Sequence, residues 1–139
     1  MENVIKSSAL LNVIEAEKNN SGADFTLKSI KTGKEYTYNI SRSFFNNKWY
    51  THVKVETKYQ EYKRLGVYFD GKIFKNGSVV DTPAAKAISF VLAKVQSREF
   101  SYLDNKVELM HTGSCIRCGR ALTDSESIKR GLGPTCASI

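Results

Sequence analysis

Phe25-Thr26-Leu27-Lys28-Ser29-Ile30, Lys31-Thr32-Gly33-Lys34 and Glu35-Tyr36-Thr37-Tyr38-Asn39-Ile40 follow one another without a break in this 139-residue chain. The outer stretches alternate apolar with polar residues, the period of a half-buried strand, and the middle one has the composition of a hairpin loop. Tyr36, Tyr38 and Ile40 fall on one face, so an antiparallel sheet is expected to begin here. Downstream, Trp49-Tyr50-Thr51-His52-Val53-Lys54-Val55 is aromatic and β-branched and predicts a third strand. Leu65-Gly66-Val67-Tyr68-Phe69 and Ile73-Phe74 flank Asp70-Gly71, a dipeptide suited to a two-residue hairpin turn. Thr82 then has the character of a helix N-cap and Pro83 of the first helical residue. Ala84, Ala87, Ile88, Val91, Leu92 and Val95 recur at helical spacing and predict one amphipathic helix against the sheet. Lys106-Val107-Glu108-Leu109-Met110 predicts a last strand that delivers the chain to His111. Upstream, Ala9, Leu10, Leu11, Val13, Ile14 and Ala16 fit a short helix after Ser7 or Ser8, and equally a strand.

Composition is that of a globular chain: 41% hydrophobic, 25% charged and 11% aromatic residues. No apolar run approaches the roughly 20 residues that span a bilayer. Met1-Glu2-Asn3-Val4-Ile5-Lys6 has neither the basic start nor the apolar stretch of a secretory signal, so a cytoplasmic location is expected. Lys and Arg exceed Asp and Glu by 21 − 14 = +7, and residues 28 to 75 alone hold eleven cations against four acids, again +7. Twelve of the fifteen Phe, Trp and Tyr residues lie in nearly the same segment, between Phe25 and Phe74. Interleaved cations and rings suit a polyanion, with Tyr36, Tyr38, Trp49, Tyr50, Tyr59, Tyr62 and Tyr68 as candidate stacking groups. The same features also serve a solvated β-rich surface, in which most of the rings are core or cross-strand pairs.

The cysteines are three, Cys115, Cys118 and Cys136, all near the C-terminus. An odd number in a chain read as cytoplasmic fits a metal better than a disulfide. Two thiolates at C-x2-C spacing reach one tetrahedral ion from a single tight turn, Cys136 adds a third, and His111 is the nearest candidate for the fourth. His52, remote and within a predicted strand, is the other histidine. Thr123-Asp124-Ser125-Glu126 has the form of a capping box with Thr123 as N-cap, followed by a short helix at residues 127 to 130 that Gly131 stops. This order of turn, helix and returning cysteine suggests a zinc knuckle, treble-clef-like or ribbon-like. Residues 112 to 117 contain no acid to serve as a general base, so a structural zinc is expected rather than a catalytic one. No P-loop, dinucleotide fingerprint or nucleophile elbow occurs, and no enzyme activity is expected.

The run His111-Thr112-Gly113, Cys115, Cys118-Gly119-Arg120, Leu122-Thr123-Asp124, Glu126-Ser127-Ile128, Gly131, Gly133-Pro134, Cys136 resembles a small zinc-binding family of unknown function found in bacteriophage and bacterial accessory proteins. The resemblance implies that His111, Cys115, Cys118 and Cys136 hold one Zn2+ and that the chain has a phage or prophage origin. It implies no activity.

The expected fold is therefore α+β: an antiparallel sheet of about five strands with one main helix at residues 1 to 110, and a zinc knuckle at residues 111 to 139. The expected function is a non-enzymatic accessory role in binding nucleic acid, acting in the host cytoplasm and without membrane attachment. Lys28, Lys31, Lys34, Arg42, Lys48, Trp49, Lys54, Arg117 and Arg120 are the candidate contacts, with Lys129 and Arg130 completing the basic rim of the metal site. The alternative is a protein-interaction module that inhibits or redirects an acidic host or defence protein.

Overall fold

The computed structural model describes residues 3–15, 22–59, 61–116 and 120–133. Eight strands form one sheet: β1 (Val4–Ile5), β2 (Ala23–Ser29), β3 (Glu35–Phe45), β4 (Lys48–Lys58), β5 (Glu61–Phe69), β6 (Lys72–Lys75), β7 (Ser78–Val79) and β8 (Val107–His111). Their spatial order is β1-β8-β2-β3-β4-β5-β6-β7, and every pairing is antiparallel. The helices are α1 (Leu11–Ile14), entered through a 3-10 turn at Ser7–Leu10, then α2 (Pro83–Gln96), α3 (Phe100–Asp104) and α4 (Ser125–Arg130). Among the described residues no helix is long and apolar enough to cross a membrane.

The expectation of about five strands with one main helix is thus corrected, among the described residues, to eight strands with four helices, and these residues form no zinc knuckle of either expected type. Two-residue turns account for much of the difference. Asn46-Asn47, Asp70-Gly71 and Asn76-Gly77 all carry positive φ at both positions, the geometry whose twist matches paired strands. The first turn lets β3 and β4 run to Phe45 and Lys48, well beyond the segments the alternation marks. The third adds β7 by pairing Lys75 with Ser78. The equivocal N-terminus is helical from Ser7, and β1 before it is a two-residue edge beside β8.

Helix α2 begins as expected, with the Thr82 hydroxyl accepting the Ala85 N–H at 3.3 Å and Pro83 in the first turn. Its buried stripe is Ala85, Ile88, Val91, Leu92 and Val95, so Ala84 and Ala87 sit at the margin of the face rather than at its centre. Opposite it, Phe25, Leu27, Tyr38, Ile40, Val53 and Ile73 project from the sheet, each almost fully buried. Removal of such side chains from water contributes about 1.5–3 kcal/mol apiece.

Two tyrosines tie this helix to the sheet at both ends. The Tyr38 hydroxyl donates to Ala84 O at 2.7 Å, and the Tyr68 hydroxyl to Gln96 Oε1 at 2.7 Å. Burial pushes both phenols above their ordinary pKa, most strongly Tyr38. Both rings therefore belong to the core rather than to a stacking surface. Tyr38→Phe is expected to lower stability by about 1–2 kcal/mol, the worth of one buried hydrogen bond, as a shift in urea midpoint at unchanged slope.

The parity of β5 changes midway. Val53 pairs with Gly66 but Lys54 pairs with Arg64, so Leu65 is an extra residue, a β-bulge. The bulge turns Leu65 into the core beside Tyr68 while leaving Arg64 and Val67 on the opposite face.

Candidate metal centre and open sheet face

β8 runs through Met110 and ends at His111, whose ring is buried. Phe25 on β2 is its register partner, so the imidazole lies on the helix side of the sheet. Both ring nitrogens are engaged. Nδ1 accepts the Gly113 N–H at 3.0 Å, and Nε2 lies 2.5 Å from Ile128 O, so it carries the proton and donates it. His111 thereby joins the end of β8 to α4.

Beyond it the chain reverses tightly. Ser114 bridges Ala121, the Cys115 N–H donates to Arg120 O at 2.7 Å, and the Leu122 N–H donates to Gly113 O at 2.8 Å. The fully buried Cys115 stands at the base of this reversal. Ile116 anchors it to the sheet, being fully buried in the common core and donating its N–H to Gly131 O at 2.9 Å. Helix α4 is capped by Asp124 rather than Thr123: its carboxylate accepts the Ser127 N–H at 3.1 Å, and hydrogen bonding from the Ser127 hydroxyl, then from that N–H, holds its pKa below the usual value. Arg130 is tied down by Glu126 at 3.7 Å and by Ser127 Oγ at 3.3 Å, whereas Arg120 and Lys129 are exposed.

Cys118, Cys136 and Arg117 lie outside the described residues, and among the described residues no three His, Cys, Asp or Glu side chains converge as metal donors. The donors that are described fit a metal in part. Cys115 is a fully buried sulfur, and its C-x2-C partner in the sequence, Cys118, lies outside the described residues. His111 binds a metal only by exchanging one of its two backbone partners. His52 is three strands from β8, about 14 Å at ordinary strand spacing, and is no neighbour of this centre.

Residues 109–139 match a domain family of unknown function, DUF6011. The segment similar to DUF6011 thus begins inside β8 and takes in the reversal and α4. Neither the curated proteins nor the solved structures yielded a match to the chain.

The basic and aromatic residues outside that segment divide between two faces. Side chains of β3–β5 with the opposite parity to the core residues project from the sheet away from α2, among them Ser41, Ser43, Tyr50, His52, Lys54, Glu56 and Arg64. Lys54 and Arg64 are directly opposed across β4 and β5. The three ion pairs among the described residues, Lys94–Glu99, Arg98–Glu15 and Arg130–Glu126, involve neither. His52 lies beside them with Nε2 2.6 Å from Ser43 Oγ and its ring centroid 6.5 Å from that of Tyr50. Burial, then Arg64, then Lys54 depress its pKa, so the ring is neutral at pH 7. Tyr62 reaches from β5 to hydrogen-bond Asp24 on β2; burial and the charges of Asp24 and Glu56 push its phenol up to about 12. Such a reach over three strand intervals requires the sheet to curl toward this face, making it a trough.

The other expected contacts are scattered. Lys28 shares the trough side but pairs in register with Glu35 and Glu108, which offset its charge. Lys31 and Lys34 occupy the β2–β3 loop, and Lys48 follows the Asn46-Asn47 turn. Arg42 and Trp49 project to the helix side, the guanidinium 5.6 Å from the indole centroid and 2.5 Å from Thr51 Oγ1. Tyr36 packs against the core and Tyr59 is exposed. Sequence pattern missed Arg64, His52 as a trough residue, and Ser43. The signal that exposes Arg64 is Gly66, whose bulge inverts the alternation.

Proposed function

We propose that this chain is a non-enzymatic, phage-type accessory protein that binds nucleic acid in the open trough of its sheet and holds one structural zinc in its C-terminal segment. The opposed pair Lys54 and Arg64 carries the first part. Like charges directly across a strand pair destabilise the free protein, and a phosphate seated between them removes the repulsion. Tyr50 and the neutral His52 stand next to them as rings on which bases stack. A curled sheet with splayed rings suits a single strand, whose bases are free to leave their stack. In the second part Cys115, Cys118, Cys136 and His111 would hold the zinc, which supplies folding free energy to a segment with little core of its own.

Fluorescence anisotropy of zinc-loaded protein with labelled single-stranded DNA, duplex DNA and RNA tests the trough. Salt-sensitive binding to a single strand is expected. The Lys54→Glu/Arg64→Glu variant should bind at least about tenfold more weakly. Its log K against log salt slope should be shallower by about 1.4, from ~0.7 per lost phosphate contact. Absence of binding at low salt would remove this function.

A protein partner is the second possibility, favoured by the exposed Phe45 and Phe69, 65% and 69% accessible, on the trough side at the ends of β3 and β5. On that basis Phe45→Ala and Phe69→Ala, rather than charge reversal, would abolish capture.

A further inference from the structure

A cleft of about 500 Å3 lies on the helix side, between the β2–β3 loop, the start of β8 and helix α2. Its floor is apolar: Leu27, Tyr36, Ala87, Phe90 and Val107. Its rim carries Lys31, Lys34, Lys86 and Lys106, and among the described residues no acidic side chain lines it. Lys106 is held over the Tyr102 ring at 5.6 Å, and Tyr102 packs edge-on against Phe90 with ring centroids 6.4 Å apart. Of the three hydroxyls in its lining, on Ser29, Thr32 and Tyr36, the first two are already used by the loop backbone. Ser29 Oγ accepts the Thr32 N–H and Thr32 Oγ1 accepts the Lys34 N–H, each at 3.3 Å. The cleft therefore offers an apolar surface and positive charge, but few hydrogen bonds to a polar body.

We propose that this cleft is a binding site for a small amphipathic carboxylate, its apolar body on the Tyr36–Phe90 floor and its head among the lysines. Volume and lining match a small-molecule site, an apolar pocket with a few charged groups that fix orientation. Lysine ammonium groups, as mobile point charges, suit a carboxylate head without demanding one geometry. A nucleobase fits poorly, because its ring edges would lose hydrogen bonds to water without replacement. The site lies across the sheet from the trough and does not depend on nucleic-acid binding there.

The test is a titration of 15N-labelled full-length protein with decanoate below its micelle-forming concentration, followed by amide shifts. Saturable shifts are expected at residues 29–36, 86–91 and 106–107. Decanol, the same body without charge, should bind about tenfold more weakly, and Lys31→Ala/Lys106→Ala should lose a similar factor for decanoate only. Ala87→Phe, which fills the floor, should abolish the shifts. Equal affinity for decanol and decanoate, shifts centred elsewhere, or occupation of this cleft by an oligonucleotide and not by decanoate would each overturn the assignment. The lysine variant, changed only at the rim, keeps the test decisive if Ala87→Phe fails to fold.

Discussion

Cys115→Ser is expected to bring the zinc content of purified protein, measured by plasma mass spectrometry, from about one ion per chain to none, as a closed four-ligand site loses a thiolate. Serine is close to cysteine in size, so the fully buried position is not overfilled, and the change isolates the chemistry of the sulfur from packing. The effect on the fold should be local. The sheet keeps Phe25, Tyr38, Ile88 and Leu92 whether or not metal is bound, so the main thermal transition should survive. Among the described residues the segment after His111 is held by less: Ile116 in the core, Leu132 against it, the two ring contacts of His111 and the reversal at Cys115. Hydrogen exchange there, at the amides of Cys115, Ile116 and Leu122 in particular, should accelerate by orders of magnitude. Full zinc in Cys115→Ser would exclude this sulfur as a ligand. His111→Ala gives the complementary result. Retained zinc would assign His111 wholly to the structural role its two backbone contacts describe, and lost zinc would mean that one contact yields to the metal.

The sheet was legible wherever one side of a strand faces the core and the other water, because burial then imposes a period of two. That condition holds for β2, the first half of β3 and the middle of β4, and the predicted strands sit there. It fails at the distal ends of β3 and β4. There Phe44, Phe45 and Lys48 are exposed, so hydrogen bonding continues after the pattern has ended. Asn46-Asn47 and Asn76-Gly77 carried the missing information, since asparagine tolerates positive φ and both pairs form tight turns. Local composition could not assign Tyr38 and Tyr68 to the core, because each is placed by a partner 46 or 28 residues away. At the C-terminus the capping residue slipped by one, from Thr123 to Asp124. Both side chains can accept a backbone N–H, Asp the more effectively, and the structure places Asp124 at the cap. Charge was the least legible property. Eleven cations within residues 28 to 75 describe one patch along the chain, yet alternation and loops divide them between the trough, the cleft rim and the sheet ends.

Gly66→Ala should be the most destabilising single methyl that this sheet can receive, at about 3–5 kcal/mol. Gly66 has φ +144°, a conformation that a β-carbon resists. An added Cβ would also press into the backbone carbonyl of Phe74, 2.9 Å from its carbon and closer still to its oxygen, with Ile73 Cγ2 at 3.0 Å. Those atoms belong to β6, paired to β5 through Val67 and Phe74, so relief requires parting the two strands or undoing the bulge. Undoing the bulge carries a further penalty. With regular alternation Leu65 would leave the core, where it is 5% exposed, and Arg64 would turn into it. Against a total stability of about 5–15 kcal/mol the loss should be plain in urea unfolding. Gly33→Ala is the control. Its φ of +75° is also unfavourable to alanine, but no atom lies within 4 Å of the new methyl, so about 1 kcal/mol is expected. If both variants lose the same amount, backbone conformation alone governs Gly66 and the strand contact is immaterial. If Gly66→Ala loses far more and folded protein can still be recovered, it should also bind single strands weakly. The same bulge that admits Leu65 to the core places Arg64 opposite Lys54 in the trough.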